Sequence, residues 1–565
     1  MPYSQGLFIS DDFKVVSHSD VFRRALFSDI MFKNPNYVYG PEDRYVPAKL
    51  NAGEFILQNI WQFKDTVALI NGATDEKLTY GEMAQEAMNL AVSLVRLGVR
   101  RGDVVAICAE NRREFWSTVI GVICAGAVVT TVNMIYTRDE LKHVMGITKP
   151  KYMFCSPLAL KFQANNFRSL EYVKKFIVYG DEKIPNMLSY KDLALAGPAA
   201  KLSQNVKYED FNVVDVEGQN DSAMILYSSG TTGLPKGVMI THLNILTATA
   251  STVERPKFVS LTITPWYHTM GLMSHLIGFV KGTTTVYLPK FEVELYLKTI
   301  EKFQISQLTV VPPVLVALCK SSLKYDVSSV LIIASGAAPL HKETILAVHK
   351  RFPNAQAVVQ GYGMTETTLV VTFNSSGEKE GSVGQVNSNT IVKIVDPDTR
   401  KVLGPNQNGE ICIKGAMVMK GYIGKKRQDD FDEEGFFKTG DIGYYDEDKY
   451  FYIVDRLKEL IKYKGYQVAP AELEAVLLKH EAVRDVGVVG VPHPSAGEVP
   501  LAFVVPQPGA ETTEVELQQF VAERLSNPKH LRGGVRFVEA IPKTLTGKIL
   551  RKELRKIVKS TKSKL

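Results

Sequence analysis

Residues 223–250 read AMILYSSGTTGLPKGVMITHLNILTATA. The run Ala223–Leu226 is apolar and reads as a buried strand, and Thr241–Ala250 reads as a helix. Between them lies Tyr227 to Gly237, in which eight of eleven residues are glycine, proline, serine or threonine and one is Lys236. A strand, a glycine- and hydroxyl-rich loop and a helix suit the wrapping of a polyphosphate. The glycines let the backbone approach, hydroxyls and N–H groups donate, and the lysine offsets charge. The G-x4-GK[ST] spacing of a Walker loop is missing, so the phosphates are cradled in another way. The candidates in this loop are Ser228, Ser229, Gly230, Thr231, Thr232, Gly233 and Lys236.

Outward from this stretch, helix and strand alternate. Thr79 and Glu82 have capping-box spacing, and Met83, Ala87, Leu90, Leu94 and Leu97 follow on one helical face before Gly98. Val104–Cys108, Leu308–Val311 and Val330–Ala334 are short apolar runs. Such strands between helices predict an α/β fold with mainly parallel sheets covered on both faces. Trp116 to Tyr136 is apolar enough to be mistaken for a membrane span. It carries Gly121, Gly126 and Asn133 and no aromatic belts, so it reads as a buried helix (Glu114–Ala125) and strand (Ala127–Val132), and no transmembrane segment is expected. From about 383 to 425 the pattern changes to short strands, Ile391–Val395, Lys401–Leu403 and Glu410–Ile413, around turn residues such as Asp396-Pro397-Asp398. From Asp455 onward a compact α+β piece is expected, with Pro470 in the first turn of a helix.

The whole chain is compatible with this reading. Its 565 residues suggest three to four units at about 150 residues each, and 45% hydrophobic with 22% charged residues is ordinary for a folded protein. The five cysteines are scattered, with no CxxC pair, which fits reduced thiols. No basic and apolar secretory signal opens the chain. The net charge is +7, yet residues 542–565 hold nine Lys or Arg against one Glu, so the remainder is close to neutral. The basic tail has no interleaved aromatics, and no nucleic-acid partner is expected.

Two further segments carry chemistry. Gln360-Gly361-Tyr362-Gly363-Met364-Thr365-Glu366-Thr367-Thr368 sets an aromatic between glycines, then a hydroxyl and a carboxylate, a group suited to a base, a phosphate and Mg2+. Thr439-Gly440-Asp441, with Asp455-Arg456 downstream, places an acid after a tight glycine turn, where it can accept ribose hydroxyls.

In order, YSSGTTGLPKGV, PWYHTMG, GYGMTETT, KTGD, VDRLKELIKYKGYQVAPAELE and PKTLTGK resemble the acyl-adenylate-forming (AMP-binding) superfamily. Its members include acyl-CoA synthetases, 4-coumarate–CoA ligases, beetle luciferases and peptide-synthetase adenylation domains. The resemblance spans about residues 36 to 556, nearest the luciferase and 4-coumarate ligase branch. It implies a large N-terminal domain (36–454) of two α/β lobes plus a β-barrel, after a 1–35 extension. A small α+β C-terminal domain (455–565) would pivot at Asp455. Thr231, Thr232 and Lys236 would meet the ATP phosphates. Gly336, Ala337, Ala338, Gly361, Tyr362 and Gly363 would line the nucleotide site, Thr365 would touch the α-phosphate, and Glu366 would hold Mg2+. Asp441 and Arg456 would bind ribose. Lys548 would serve adenylation, and His268 would lie between adenylate and acyl group. Met270, Ser274, Gly336 and Gly363 would shape an apolar acyl slot. Rotation of the small domain would exchange Lys548 for Lys462 and Gly465, which would meet CoA.

The implied activity is an ATP-dependent carboxylate–CoA ligase for a fatty or aryl-propenoic acid. The alternatives are a beetle-type luciferase on the same adenylate, an enzyme loading a carrier protein, and a non-catalytic protein of the same fold. Ser563-Lys564-Leu565 matches the peroxisomal address, implying an import receptor as partner and a peroxisomal location in fatty acid metabolism.

Overall fold

The computed structural model describes residues 34–41, 46–197, 201–228, 235–250, 258–336, 340, 342–374, 379–464, 466–544 and 547–562. Among these the strands form four sheets. An eight-stranded sheet runs Gly421–Tyr422, Lys236–Thr241, Ser222–Ser228, Val128–Thr131, Val104–Cys108, Tyr152–Cys155, Lys175–Val178 and Leu188–Ser189. It is parallel from Ser222–Ser228 onward. A nine-stranded sheet has a parallel centre of Ala357–Gly363, Ile332–Ser335, Gln307–Val310, Val259–Thr262, Thr284–Tyr287 and Val67–Asn71, with antiparallel strands at both ends.

Helices separate and cover these sheets. Tyr80–Arg96 starts at the expected capping box, with Thr79 accepting from the Glu82 N–H and Glu82 accepting from the Thr79 N–H. It packs on the helix Glu114–Cys124, whose residues from Phe115 onward are all buried. Gly121 permits that contact, because a Cβ there would lie 2.8 Å from the Ala87 carbonyl oxygen. The apolar 116–136 stretch is therefore this helix followed by the strand Val128–Thr131. No helix among the described residues is long and apolar enough to cross a membrane.

The antiparallel section is a six-stranded sheet in the order Tyr37–Tyr39, Thr390–Val395, Gly409–Gly415, Phe437–Tyr445 and Phe451–Arg456, with Val402–Leu403 beside Thr390–Val395. The expected β-barrel is corrected here: the first and last strands are not paired with each other, so the sheet is open. Closure depends on pairing between distant strands, which turn spacing does not encode.

The C-terminal part folds on a five-stranded sheet built around the hairpin Val483–His493 and Gly497–Pro506. The helix Pro470–Leu477 does begin at its proline. The last helix, Arg551–Lys562, buries Leu554 and Val558, whereas Leu550 and Ile557 remain 38% and 39% exposed. Arg551, one turn before Leu554, is drawn inward to Glu474 at 2.8 Å to both carboxylate oxygens.

Candidate active site

Both parallel sheets point their carboxyl ends at one cavity of about 880 Å3, where open α/β sheets carry their ligands. Ser228 closes the strand Ser222–Ser228, Gly336 follows Ile332–Ser335, and Gly361 and Gly363 end Ala357–Gly363; all four line the cavity. A Cβ at Gly363 would fall 1.6 Å from the Leu369 carbonyl oxygen, so the chain can reverse there only with glycine. The following turn, Thr365–Thr367, aims Thr365 and Glu366 into the same space.

Lys236 is the first residue of a strand, Lys236–Thr241, that pairs antiparallel with Ser222–Ser228, so it stands where the loop meets the sheet. Its ammonium sits 4.3 Å from the centre of the Tyr422 ring. Burial, with help from Lys425, lowers its pKa. Tyr422 also donates its hydroxyl to Glu366 Oε1 at 2.7 Å. Glu366 is thereby fixed at the cavity wall. Among the described residues no three His, Cys, Asp or Glu side chains gather into a metal cage. One carboxylate facing a phosphate site is the donor set that Mg2+ takes when it arrives with a nucleotide.

Asp441 lies within the strand Phe437–Tyr445, directly after Gly440. The left-handed Gly440 (φ +71°) kinks the strand and turns the acid toward the cavity. The Tyr362 hydroxyl donates to Asp441 Oδ2 at 2.8 Å, and Arg456 Nε lies 3.4 Å from Oδ1. Burial raises the Asp441 pKa, while Arg456 and Tyr362 oppose that rise. Arg456 is the register partner of Asp441 on the next strand, which fixes this pair.

His268 caps the helix Thr269–Phe279, its Nδ1 accepting from the Met270 N–H at 3.4 Å. Burial and then the charge of Lys548 push its pKa down to about 4, so it is neutral at physiological pH. Thr269 donates to the Thr365 hydroxyl at 2.9 Å, joining this helix to the Thr365–Thr367 turn.

Lys548 enters the cavity from the small domain. It sits at a tight turn with Gly547 at φ +81° and its N–H donating to Thr544 Oγ1. What surface it exposes opens into the cavity. Burial and Arg456 lower its pKa, against the pull of Asp441 and Glu366. Asp455 joins the two parts of the chain: it is the penultimate residue of the strand Phe451–Arg456, and its Oδ2 accepts from the Ala471 N–H in the first turn of Pro470–Leu477 at 2.9 Å. Lys462 is on the strand Ile461–Tyr463, exposed and away from the cavity, so the structure holds Lys548 in and Lys462 out. Ser229, Gly230, Thr231, Thr232, Gly233, Ala337, Ala338, Gly465, Ser563, Lys564 and Leu565 lie outside the described residues.

Met270 and Ser274, which the resemblance set in an apolar slot, line the cavity, and polar side chains stand in the same lining. Ser260, Thr262, Thr285, Gln307 and Thr309 face it from the nine-stranded sheet. Sequence reading missed these, and it missed Tyr422. The signal for Ser260, Thr262, Gln307 and Thr309 was a polar residue at every second position in VSLT and QLTV; Thr285, in TTVY, had no such alternation. Tyr422 had no local signal, being 56 residues from Glu366.

The chain matches the AMP-binding enzyme family model over residues 58–423 and the AMP-binding enzyme C-terminal domain over 472–548. It is 40% identical to a luciferin 4-monooxygenase of Nipponoluciola cruciata over 551 residues, covering 95% of this chain and 100% of that one. It is 38% identical to 4-coumarate-CoA ligase 1 of Narcissus pseudonarcissus, covering 91% and 94%. ATP-bound MatB from Rhodopseudomonas palustris superposes with a TM-score of 0.79 at 29% identity, covering 90% of this chain and 99% of that one. The protein belongs to the AMP-binding enzyme family, the acyl-adenylate-forming enzymes. Its relatives include both CoA ligases and luciferases.

Proposed function

We propose that the protein is an ATP-dependent carboxylate–CoA ligase. The observation that carries this reading is Lys548, held in a cavity with Glu366, Asp441, Arg456 and His268. In the first half-reaction a substrate carboxylate oxygen bonds to the α-phosphorus of ATP and pyrophosphate leaves. Negative charge gathers around that phosphorus, and one cation in a site poor in water stabilises it strongly. Lys548 fills that role, with Lys236 toward the departing phosphates. Asp441, oriented by Tyr362 and Arg456, holds the ribose. Glu366 would hold a Mg2+ ion, which would supply further charge neutralisation on the phosphates. The neutral His268 stands between nucleotide and acyl sites without adding charge.

In the second half-reaction the CoA thiolate bonds to the acyl carbon and AMP leaves. The exposed hairpin of Lys462 and the Asp455 junction support a rotation that withdraws Lys548 and presents Lys462 and Gly465. The second reading is a luciferase, favoured by the 40% identity to the Nipponoluciola enzyme. Pyrophosphate and AMP release from a panel of acids, with and without CoA, separates the two. CoA-dependent AMP release with a thioester product supports the ligase. Pyrophosphate without any effect of CoA, together with light from luciferin and oxygen, supports the luciferase.

A further inference from the structure

The centre of a parallel sheet covered by helices is apolar on both faces. In the nine-stranded sheet one face obeys this rule: Leu261, Val286, Leu308 and Ile333, register neighbours on four adjacent strands, are all buried in one core cluster. The other face does not. Ser260 is in register with Thr285 and Gln307, and Thr262 is in register with Thr309. These five residues form two polar rows across three strands, and all line the cavity opposite Ser274 of the helix Thr269–Phe279. Among the described residues no side-chain hydrogen bond engages Ser260, Thr285, Gln307 or Thr309. Only Thr262 is used, accepting from the Thr264 N–H at 3.1 Å.

We infer that this face reads the substrate's tail, and that the acid carries uncharged hydrogen-bonding substituents such as hydroxyl or keto groups. An unsubstituted acyl chain entering here would displace water and leave the hydroxyls and the amide without partners, which costs free energy. A substituted chain replaces those bonds. The five residues bring donors and acceptors and no charge, which matches hydroxyl or keto groups; Lys281 also lines the cavity, and the dicarboxylic acid in the panel below tests whether that cation takes a second carboxylate instead. Gln307 and Thr309 are the specificity-determining residues, since both stand on the central strand Gln307–Val310 and point into the slot.

The inference rests on the adenylation reading, and the test separates the two. Pyrophosphate release is measured with paired acids of one skeleton, with and without hydroxyl groups, in aryl-propenoic and fatty series, plus a dicarboxylic acid. The hydroxylated member of a pair is expected to have the higher kcat/KM by about tenfold or more. Gln307→Leu combined with Thr309→Val is expected to bring that ratio to about one. Preference for the plain acid or the dicarboxylic acid overturns the inference, as does a ratio unmoved by the double variant or the absence of pyrophosphate with every acid. A thioester assay on the same samples reports separately on CoA: an adenylate with the hydroxyl preference and no thioester overturns the ligase and leaves the polar slot standing.

Discussion

Lys548 does its work as a cation, and its surroundings make that cation easier to lose than an ordinary lysine. Burial and Arg456 favour the neutral amine. Activity that needs the proton therefore falls as pH rises through a pKa below the usual 10.5. A pH profile of pyrophosphate release is expected to show an alkaline limb earlier than an unperturbed lysine gives. Raising the ionic strength should leave that limb in place, because the groups responsible are shielded from solvent. Lys548→Ala is expected to slow adenylation by about 10² to 10³ while ATP binding, read by calorimetry, persists. Tyr362 acts through Asp441. Tyr362→Phe removes a hydrogen bond to a buried acid worth about 1.5–3 kcal/mol. It is expected to raise the KM for ATP with a smaller effect on kcat. An unchanged KM would mean that Asp441 keeps its orientation without the tyrosine.

At the scale of elements, the position of Lys548 depends on how its loop is anchored. Three residues beyond it, one terminal nitrogen of Arg551 donates to both carboxylate oxygens of Glu474 on the helix Pro470–Leu477, and Glu474 also accepts from the Val488 N–H at 2.8 Å. The pair ties the last helix to the helix that Asp455 caps. Glu474→Ala removes the acceptor of both Arg551 and the Val488 N–H and leaves the guanidinium partly buried without that partner, a loss of about 3 kcal/mol in the small domain. The expected result is earlier proteolytic opening of that domain and slower adenylation at full nucleotide saturation. Equal protease resistance to wild type would show that the pair anchors nothing. None of this long-range pairing was legible in the sequence, although the local features were. The Thr79–Glu82 capping box, the strand before the phosphate loop and the helix opened by Pro470 are set by neighbours within a few residues. Apart from Thr285, the hydroxyl rows were visible as alternation in single strands. Their meaning came only from register, which places Ser260 beside both Thr285 and Gln307. The open end of the antiparallel sheet and the Tyr422–Glu366 bond likewise depend on contacts across many residues.

Across the whole molecule, burial of histidine couples stability to acid. His242, His268 and His275 each have a pKa pushed down to about 4, with burial as the first cause. His275 uses both ring nitrogens, pairing with the Gly271 carbonyl and accepting from Trp266 Nε1. His242 accepts from the Ala52 N–H at 3.1 Å, and its Nε2 has no hydrogen-bond partner among the described residues. The sign is fixed by the folded pKa lying below the unfolded value of 6.5. As pH falls from 6.5 toward 4, the unfolded chain takes up protons that the folded chain refuses, so stability is lost across that window. Each such histidine contributes about 1.4 kcal/mol per pH unit there. Glu474 acts in the opposite sense: its pKa is raised to about 7, so the small domain gains stability as pH falls from 7 toward 4.5. The two domains should therefore diverge in mild acid, the large one weakening first. The three tryptophans, Trp61, Trp116 and Trp266, all lie in the large domain, so their fluorescence follows it alone. The urea midpoint read by tryptophan fluorescence is expected to drop between pH 7 and pH 5. His242→Gln, which keeps an acceptor for the Ala52 N–H and cannot be protonated, is expected to flatten that drop. A midpoint that falls equally in the variant would place the acid sensitivity outside His242.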